Sequence, residues 1–183
     1  VRQDPDVILI GEIRDKDTDV IAVHSALSCL LVFSTLHTIV SASAFTRLVE
    51  IGVEPFLISS SLIAVIAQRL LRTLCNDCKE AYQPDDLAFK SIGMDPERYK
   101  DRRVYRARGC ENCFHTGHKG RNAIFEIMVL NEELRSLILK SHDSNVIKKR
   151  ALEMNMLSLR QDGIQKLLNG VTTIEEVFRV TMK

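Results

Sequence analysis

The run Asp4-Pro5-Asp6-Val7-Ile8-Leu9-Ile10-Gly11-Glu12-Ile13-Arg14-Asp15 decides the class of fold. At its centre, Val7-Ile8-Leu9-Ile10 is a continuous β-branched and aliphatic stretch stopped by glycine, the pattern of a strand buried on both faces of a parallel sheet. Glu12 then emerges at the strand's carboxyl end, where open α/β sheets bind their ligands. Asp17 or Thr18 is expected to cap a helix running to about Ala26. Leu30-Leu31-Val32-Phe33 reads as a second buried strand that delivers Ser34, Thr35 and His37 to the same edge. An acid on one tip with hydroxyls and an imidazole on the next is what nucleotide hydrolysis needs on its water side, a water-orienting base and a γ-phosphate sensor. Many α/β enzymes carry acids and histidines at strand ends, so the spacing alone does not single out an NTPase.

Working outward, Ala44, Phe45, Leu48 and Val49 follow helical spacing between Ser41 and Ile51, and Gly52 suits the left-handed residue that closes such a helix. Pro55 is expected to open a long helix with a core stripe of Leu57, Ile58, Leu62, Val65, Ile66 and Leu70. Two tight pairs follow, Cys75-Asn76-Asp77-Cys78 and Cys110-Glu111-Asn112-Cys113. Each C-x-x-C brings two sulfurs to one ion from a single turn, so the four together predict a tetrahedral structural zinc site. The competing readings are disulfides and a redox dithiol, and nothing else in the chain suggests the oxidising or catalytic setting they need. His115 and His118 read as outer-sphere or solvent-facing, and Cys29 as a small buried hydrophobe with no metal role.

Between the pairs, Pro84, Gly93 and Pro96 lie among many charges, a composition poor at building its own core and expected to be organised by the metal. Residues 121–129 read as a strand. The last third reads as helical: Asn131 heads the stripe Leu134, Leu137 and Ile138, Ser158 or Asn155 introduces a helix to Leu168, and Thr173-Ile174-Glu175-Glu176 is a capping box after Gly170.

With 183 residues, 45% hydrophobic and 27% charged, the chain has the composition of an ordinary globular protein rather than a disordered one. A net charge of +1 argues against a domain-wide footprint for nucleic acid, and the basic clusters Arg102-Arg103 and Lys148-Lys149-Arg150 read as solvated surface. The longest apolar stretch, from Phe56 to Leu71, is broken by Ser59-Ser60-Ser61 and carries Gln68 and Arg69, short of a membrane span. No signal peptide is visible, and with reduced-looking cysteine pairs this favours the cytoplasm. The start at Val1, inside a motif, reads as the C-terminal part of something longer.

The wording of five segments is more specific than their spacing. DPDVILIGEIRD (residues 4–15), FSTLHT (33–38), RLVEIGVEPFLISSSL (47–62), AQRLLRTLCNDCKE (67–80) and GCENCFHTGHKGR (109–121) resemble the secretion ATPase superfamily, and within it the type II secretion ATPases. The likeness extends through SLRQDGIQKLLNGVTTIEEVFRVT at residues 158–181. The resemblance implies an α/β fold: the C-terminal half of a RecA-like P-loop NTPase core (residues 1–74), a tetracysteine zinc subdomain (75–121), then a strand and a helical C-terminal region (122–183).

It further implies that Gly11-Glu12 is the Walker B end with Glu12 catalytic, and that His37 is the second histidine of the His box. Cys75, Cys78, Cys110 and Cys113 match the structural zinc motif. The implied activity is that of a hexameric cytoplasmic ATPase, peripheral to the inner membrane, which uses ATP and Mg²⁺ to drive pseudopilus assembly with inner-membrane platform and cytoplasmic components of the secretion system. The type IV pilus extension ATPase shares every motif, and a zinc-stabilised nucleic-acid-binding module is the rival from another class, although no nucleic-acid partner is expected. The chain departs from the family in three ways. Ser28-Cys29-Leu30 stands where Thr-Gly-His is usual, Ile39 replaces a polar residue, and no GxxxxGK[ST] occurs, so the chain alone is expected to lack a nucleotide-binding cradle and ATPase activity.

Overall fold

The computed structural model describes residues 5–38, 40–141 and 143–182; Val1, Asp4 and Ile39, which entered the reading above, lie outside them. The chain divides into two compact units, residues 1–67 with 127–156 and residues 68–126 with 157–183. The three-part division expected at 74/75 and 121/122 follows motifs along the chain. Compactness draws its lines elsewhere, because residues 127–156 return to the first unit.

In the first unit β1 (Val7–Ile10) pairs in parallel with β2 (Leu31–Ser34), in the register Val7 to Leu31 through Ile10 to Ser34. The crossover between them is α1 (Lys16–Leu27). Its cap is Asp15 rather than Asp17 or Thr18: the Asp15 carboxylate accepts the Thr18 N–H at 2.9 Å, satisfying a free donor of the first turn. The strands are not buried on both faces as expected. Leu9 is 77% and Phe33 53% exposed, because no described element covers these side chains.

Cys29 is also corrected. It is exposed, with φ +67°, because it is the residue just past the end of α1, where the chain turns outward. The Cys29 N–H returns to the Ala26 carbonyl and the Leu30 N–H to that of Ser25.

The helix α2 (Ser43–Ile51) ends on left-handed Gly52 as its sequence predicts. The long helix from Pro55 does not form. Instead α3 (Pro55–Ser61) stops where the Ser60 and Ser61 hydroxyls donate back to the carbonyls of Phe56 and Leu57. The chain then runs as β3 (Ala64–Leu74), the sheet neighbour of β6 (His118–Val129). Val65, Ala67 and Leu71 fit a period of two while Leu62, Val65 and Ile66 fit a period of 3.6, and tertiary strand pairing settles the ambiguity. The core of the unit joins Val23, Phe45, Leu48, Val53 and Ile58 to Met128 and Leu130, and to Leu134, Ile138, Ile147 and Ala151 of α6 (Glu132–Lys140) and α7 (Ser144–Glu153).

In the second unit β4 (Glu80–Tyr82) pairs antiparallel with β5 (Val104–Arg106), and between them lie α4 (Asp86–Ser91) and α5 (Pro96–Tyr99). This segment does build a core. Phe89, Ile92, Met94 and Val104 pack with Leu167, Ile174 and Val177 of α8 (Leu159–Leu168) and α9 (Ile174–Thr181). The expectation that the segment has too few apolar residues for a core is therefore corrected: they are completed by those of the C-terminal helices. Ser158 and Gln161 form a reciprocal capping box on α8. Thr173 caps α9 through the Glu176 N–H, but the Glu176 side chain does not reach back, being engaged elsewhere.

Candidate functional site

Two groups of side chains carry chemistry, one in each unit. In the first, the polar tips of β1 and β2 converge. The ladder ends at Ile10 and Ser34, and beyond it Thr35 takes over. Its hydroxyl donates to the Gly11 carbonyl at 2.7 Å, and its own carbonyl accepts the Ile13 N–H at 3.0 Å. Glu12 is thus held between two hydrogen bonds made by one residue on the neighbouring strand. The Glu12 side chain is 20% exposed, and Arg14 Nε donates to Glu12 Oε2 at 2.5 Å. His37 Nε2 lies 2.5 Å from Glu12 Oε1, although His37 is 84% exposed. That approach has ion-pair distance but not hydrogen-bond direction, so Oε1 makes no hydrogen bond within the protein. It is a buried acceptor that faces the His37 ring and has no hydrogen-bond partner among the described residues.

Both residues that the sequence nominated as catalytic therefore lie together at the carboxyl end of a parallel strand pair. The sequence reading missed the contribution of Arg14. A basic residue two positions after the acid, outside the strand where alternation no longer dictates direction, was the signal for it.

In the second unit Cys75, Cys78, Cys110 and Cys113 bring their sulfurs within 4.8 Å of one another. Cys75 to Cys110 is 3.9 Å, Cys78 to Cys113 3.8 Å and Cys110 to Cys113 3.8 Å. Four thiolates about 2.3 Å from a central ion at tetrahedral angles are about 3.8 Å apart, so the donor set fits a tetrahedral metal shell. A disulfide needs sulfurs about 2.05 Å apart, and the four are free thiols. The second hook is shaped by Gly109 and Gly117, both with positive φ. A Cβ on the first would lie 2.6 Å from the His115 carbonyl oxygen, and on the second 2.5 Å from Ala107 Cβ. That close approach lets the N–H groups of Cys110 and Gly117 donate to Cys113 Sγ, each at 3.2 Å. Asn112 Nδ2 donates to Asp77 Oδ2 at 3.2 Å, tying one hook to the other.

The thiols differ in acidity. Burial, joined by its cysteine neighbours, pushes Cys78 up to about 12, and burial also raises Cys110. Burial opposes ionisation at Cys113 too, but the two backbone donors outweigh it and bring that thiol down to about 6. A divalent cation would ionise all four by binding the thiolates. His115 is exposed and His118 Nδ1 faces the Thr116 carbonyl at 3.0 Å, so neither joins the sulfur group.

Residues 1–179 match the family described as Type II/IV secretion system protein. Type II secretion system protein E of Pseudomonas aeruginosa is 47% identical over 181 residues, 99% of this chain and 36% of that protein. Type IV pilus assembly ATPase PilB of Thermus thermophilus is 45% identical over 183 residues, 100% of this chain and 21% of that protein. The chain therefore spans little more than a third of the length of these curated relatives at most. Among solved structures, the pilus retraction motor PilT with bound ADP aligns over 100% of this chain and 41% of its own, with a TM-score of 0.66 and 23% identity. The ATPase DotB of Legionella pneumophila aligns over 98% of this chain and 39% of its own, with a TM-score of 0.64 and 22% identity. At that identity the likeness shows a shared α/β fold.

Proposed function

From the premise that the chain belongs to the type II/IV secretion system protein family, we propose that it forms the water-side part of the RecA-like core of a hexameric motor ATPase driving pseudopilus assembly in type II secretion. The observation that carries this reading is the Glu12 carboxylate at the end of β1, held by Arg14 and faced by His37, with Oε1 an unpaired acceptor among the described residues. In this reading Glu12 orients the attacking water and takes its proton, and its charge would help hold Mg²⁺. His37, an exposed imidazole beside it, meets the γ-phosphate. Mg²⁺, when bound, offsets phosphate charge. No GxxxxGK[ST] occurs in the 183 residues, so the phosphate cradle is supplied elsewhere in the motor and this chain alone hydrolyses no ATP. Cys75, Cys78, Cys110 and Cys113 would hold a structural zinc that crosslinks the two hooks.

No helix among the described residues is long and apolar enough to cross a membrane. A cytoplasmic motor docked peripherally on inner-membrane platform proteins is consistent with that. The second reading, assembly of type IV pili, is kept because relatives of both names match at similar identity. A gene neighbourhood of secretin and pseudopilin genes favours secretion, and one of pilin genes the pilus. The catalytic reading is tested by Glu12→Gln in the full-length motor, which should bind ATP and lose turnover by about 10²–10⁴. Hydrolysis at the parental rate would move the role to another residue.

A further inference from the structure

We infer that Thr35 is the positioning residue of the strand-tip site, fixing the Glu12 carboxylate against His37. The inference rests on the reading of Glu12 and His37 as the water-side groups of an ATPase.

Glu12 follows the last ladder pair, Ile10 with Ser34, by two residues, and sheet pairing has already ended there. Gly11, with nothing within 4 Å of where its Cβ would lie, has no side-chain packing to restrain its φ and ψ. A carboxylate on such a tip would sample many directions. Thr35 removes that freedom from both sides of Glu12. Its hydroxyl takes the carbonyl of the preceding residue at 2.7 Å, and its carbonyl takes the N–H of the following residue at 3.0 Å. Because His37 is only two residues beyond Thr35, the clamp that orients the Glu12 backbone also fixes the distance from which the imidazole approaches. His37 Nε2 lies 2.5 Å from Glu12 Oε1, and Thr35, through its hydroxyl and its carbonyl, bridges the two strand ends that carry them. His37 itself is mostly exposed, so little of its side chain is held by packing. Misplacement by about 1 Å is enough to lose much of an oriented group's contribution.

The test compares Thr35→Val, which keeps the branched shape and loses the hydroxyl, with Thr35→Ser, which keeps the hydroxyl. In this chain, the nuclear Overhauser contact between the His37 ring and the Glu12 side chain should be present in the parent and in Thr35→Ser and lost in Thr35→Val. The thermal midpoints should stay together, since Thr35 is exposed. In the full-length motor, Thr35→Val should lower kcat about tenfold with KM for ATP within about twofold, and Thr35→Ser should restore kcat. If Thr35→Val keeps the contact, the inference is overturned whatever the rates. If the contact is lost and turnover is parental, the positioning role stands and the assignment of Glu12 to catalysis fails.

Discussion

At Cys29 a single residue shows how local conformation overrides a composition rule. Cysteine is usually buried, yet here it carries φ +67° just past the end of α1, an exposed left-handed position that glycine adopts without a steric clash. The family wording has glycine there, and the backbone supplies the reason. Cys29→Gly should raise the urea midpoint of the chain by the equivalent of about 0.5–1 kcal/mol, the left-handed strain relieved exceeding the extra chain entropy. A lowered midpoint would mean that the thiol has a stabilising contact. The same variant should remove an exposed cysteine that a thiol reagent modifies in the folded chain.

Among the elements, α9 is fastened to β3 through Glu176. The carboxylate is 1% exposed and receives five hydrogen bonds: the Arg72 N–H, Nε and Nη2 at 2.9, 2.9 and 2.7 Å, and Arg179 Nε and Nη2 at 2.9 and 2.7 Å. Burial alone would raise its pKa, but the Arg179 and Arg72 forks outweigh that and hold the carboxyl well below the usual carboxylate range. The sign of the linkage follows. With a folded pKa below the ordinary value of 4.5, the stability contributed is complete above 4.5 and is lost as pH falls toward the folded value. The denaturant midpoint should therefore drop between about pH 5 and pH 3 more steeply in the parent than in Glu176→Gln. At pH 7 that variant should be less stable by about 1–3 kcal/mol, the loss of charged hydrogen bonds. Equal slopes in acid would show that Glu176 is not what ties the two elements.

On the scale of the whole molecule, the metal hooks and the C-terminal helices are coupled within one unit. Phe89, Ile92, Met94 and Val104, from the chain between the cysteine pairs, share a core with Leu167, Ile174 and Val177. The Leu74 N–H donates to the Val171 carbonyl at 2.8 Å, and Lys79 Nζ to that of Gly170 at 3.1 Å, on either side of the first hook. Structural zinc contributes about 10–16 kcal/mol to the folding of small metal peptides, comparable to the stability of a whole domain. Cys110→Ser should therefore release about one zinc per chain and speed amide exchange in residues 75–121 and also in α8 and α9. Exchange that quickens only between residues 75 and 121 would show the shared core to be held without the metal, and a parent free of metal when purified would remove the zinc assignment.

The sequence by itself determined the features that depend on neighbours along the chain. The β1 run ending at Gly11-Glu12, the Gly52 stop of α2, the Asn131 and Ser158 caps and the two C-x-x-C hooks each rest on residues a few positions apart, and each stands where its local chemistry predicts. The catalytic candidates Glu12 and His37 were legible for the same reason, since each follows a strand whose end is marked in the sequence. Tertiary structure alone decided the rest. Residues 64–74 have apolar spacing compatible with helix or strand, and pairing with β6 chose the strand. The helix α7 is not singled out in the sequence, and burial of Ile147 and Ala151 against residues distant in sequence holds it in the core. Glu176 satisfied a capping-box pattern, yet Arg72, 104 residues away, drew its side chain off. Thr35, Arg14 and the open face of β1 and β2 likewise depend on what lies across a strand gap rather than along the chain. Hydrogen bonds and burial between distant segments are worth as much as local ones, and no reading of local order contains them.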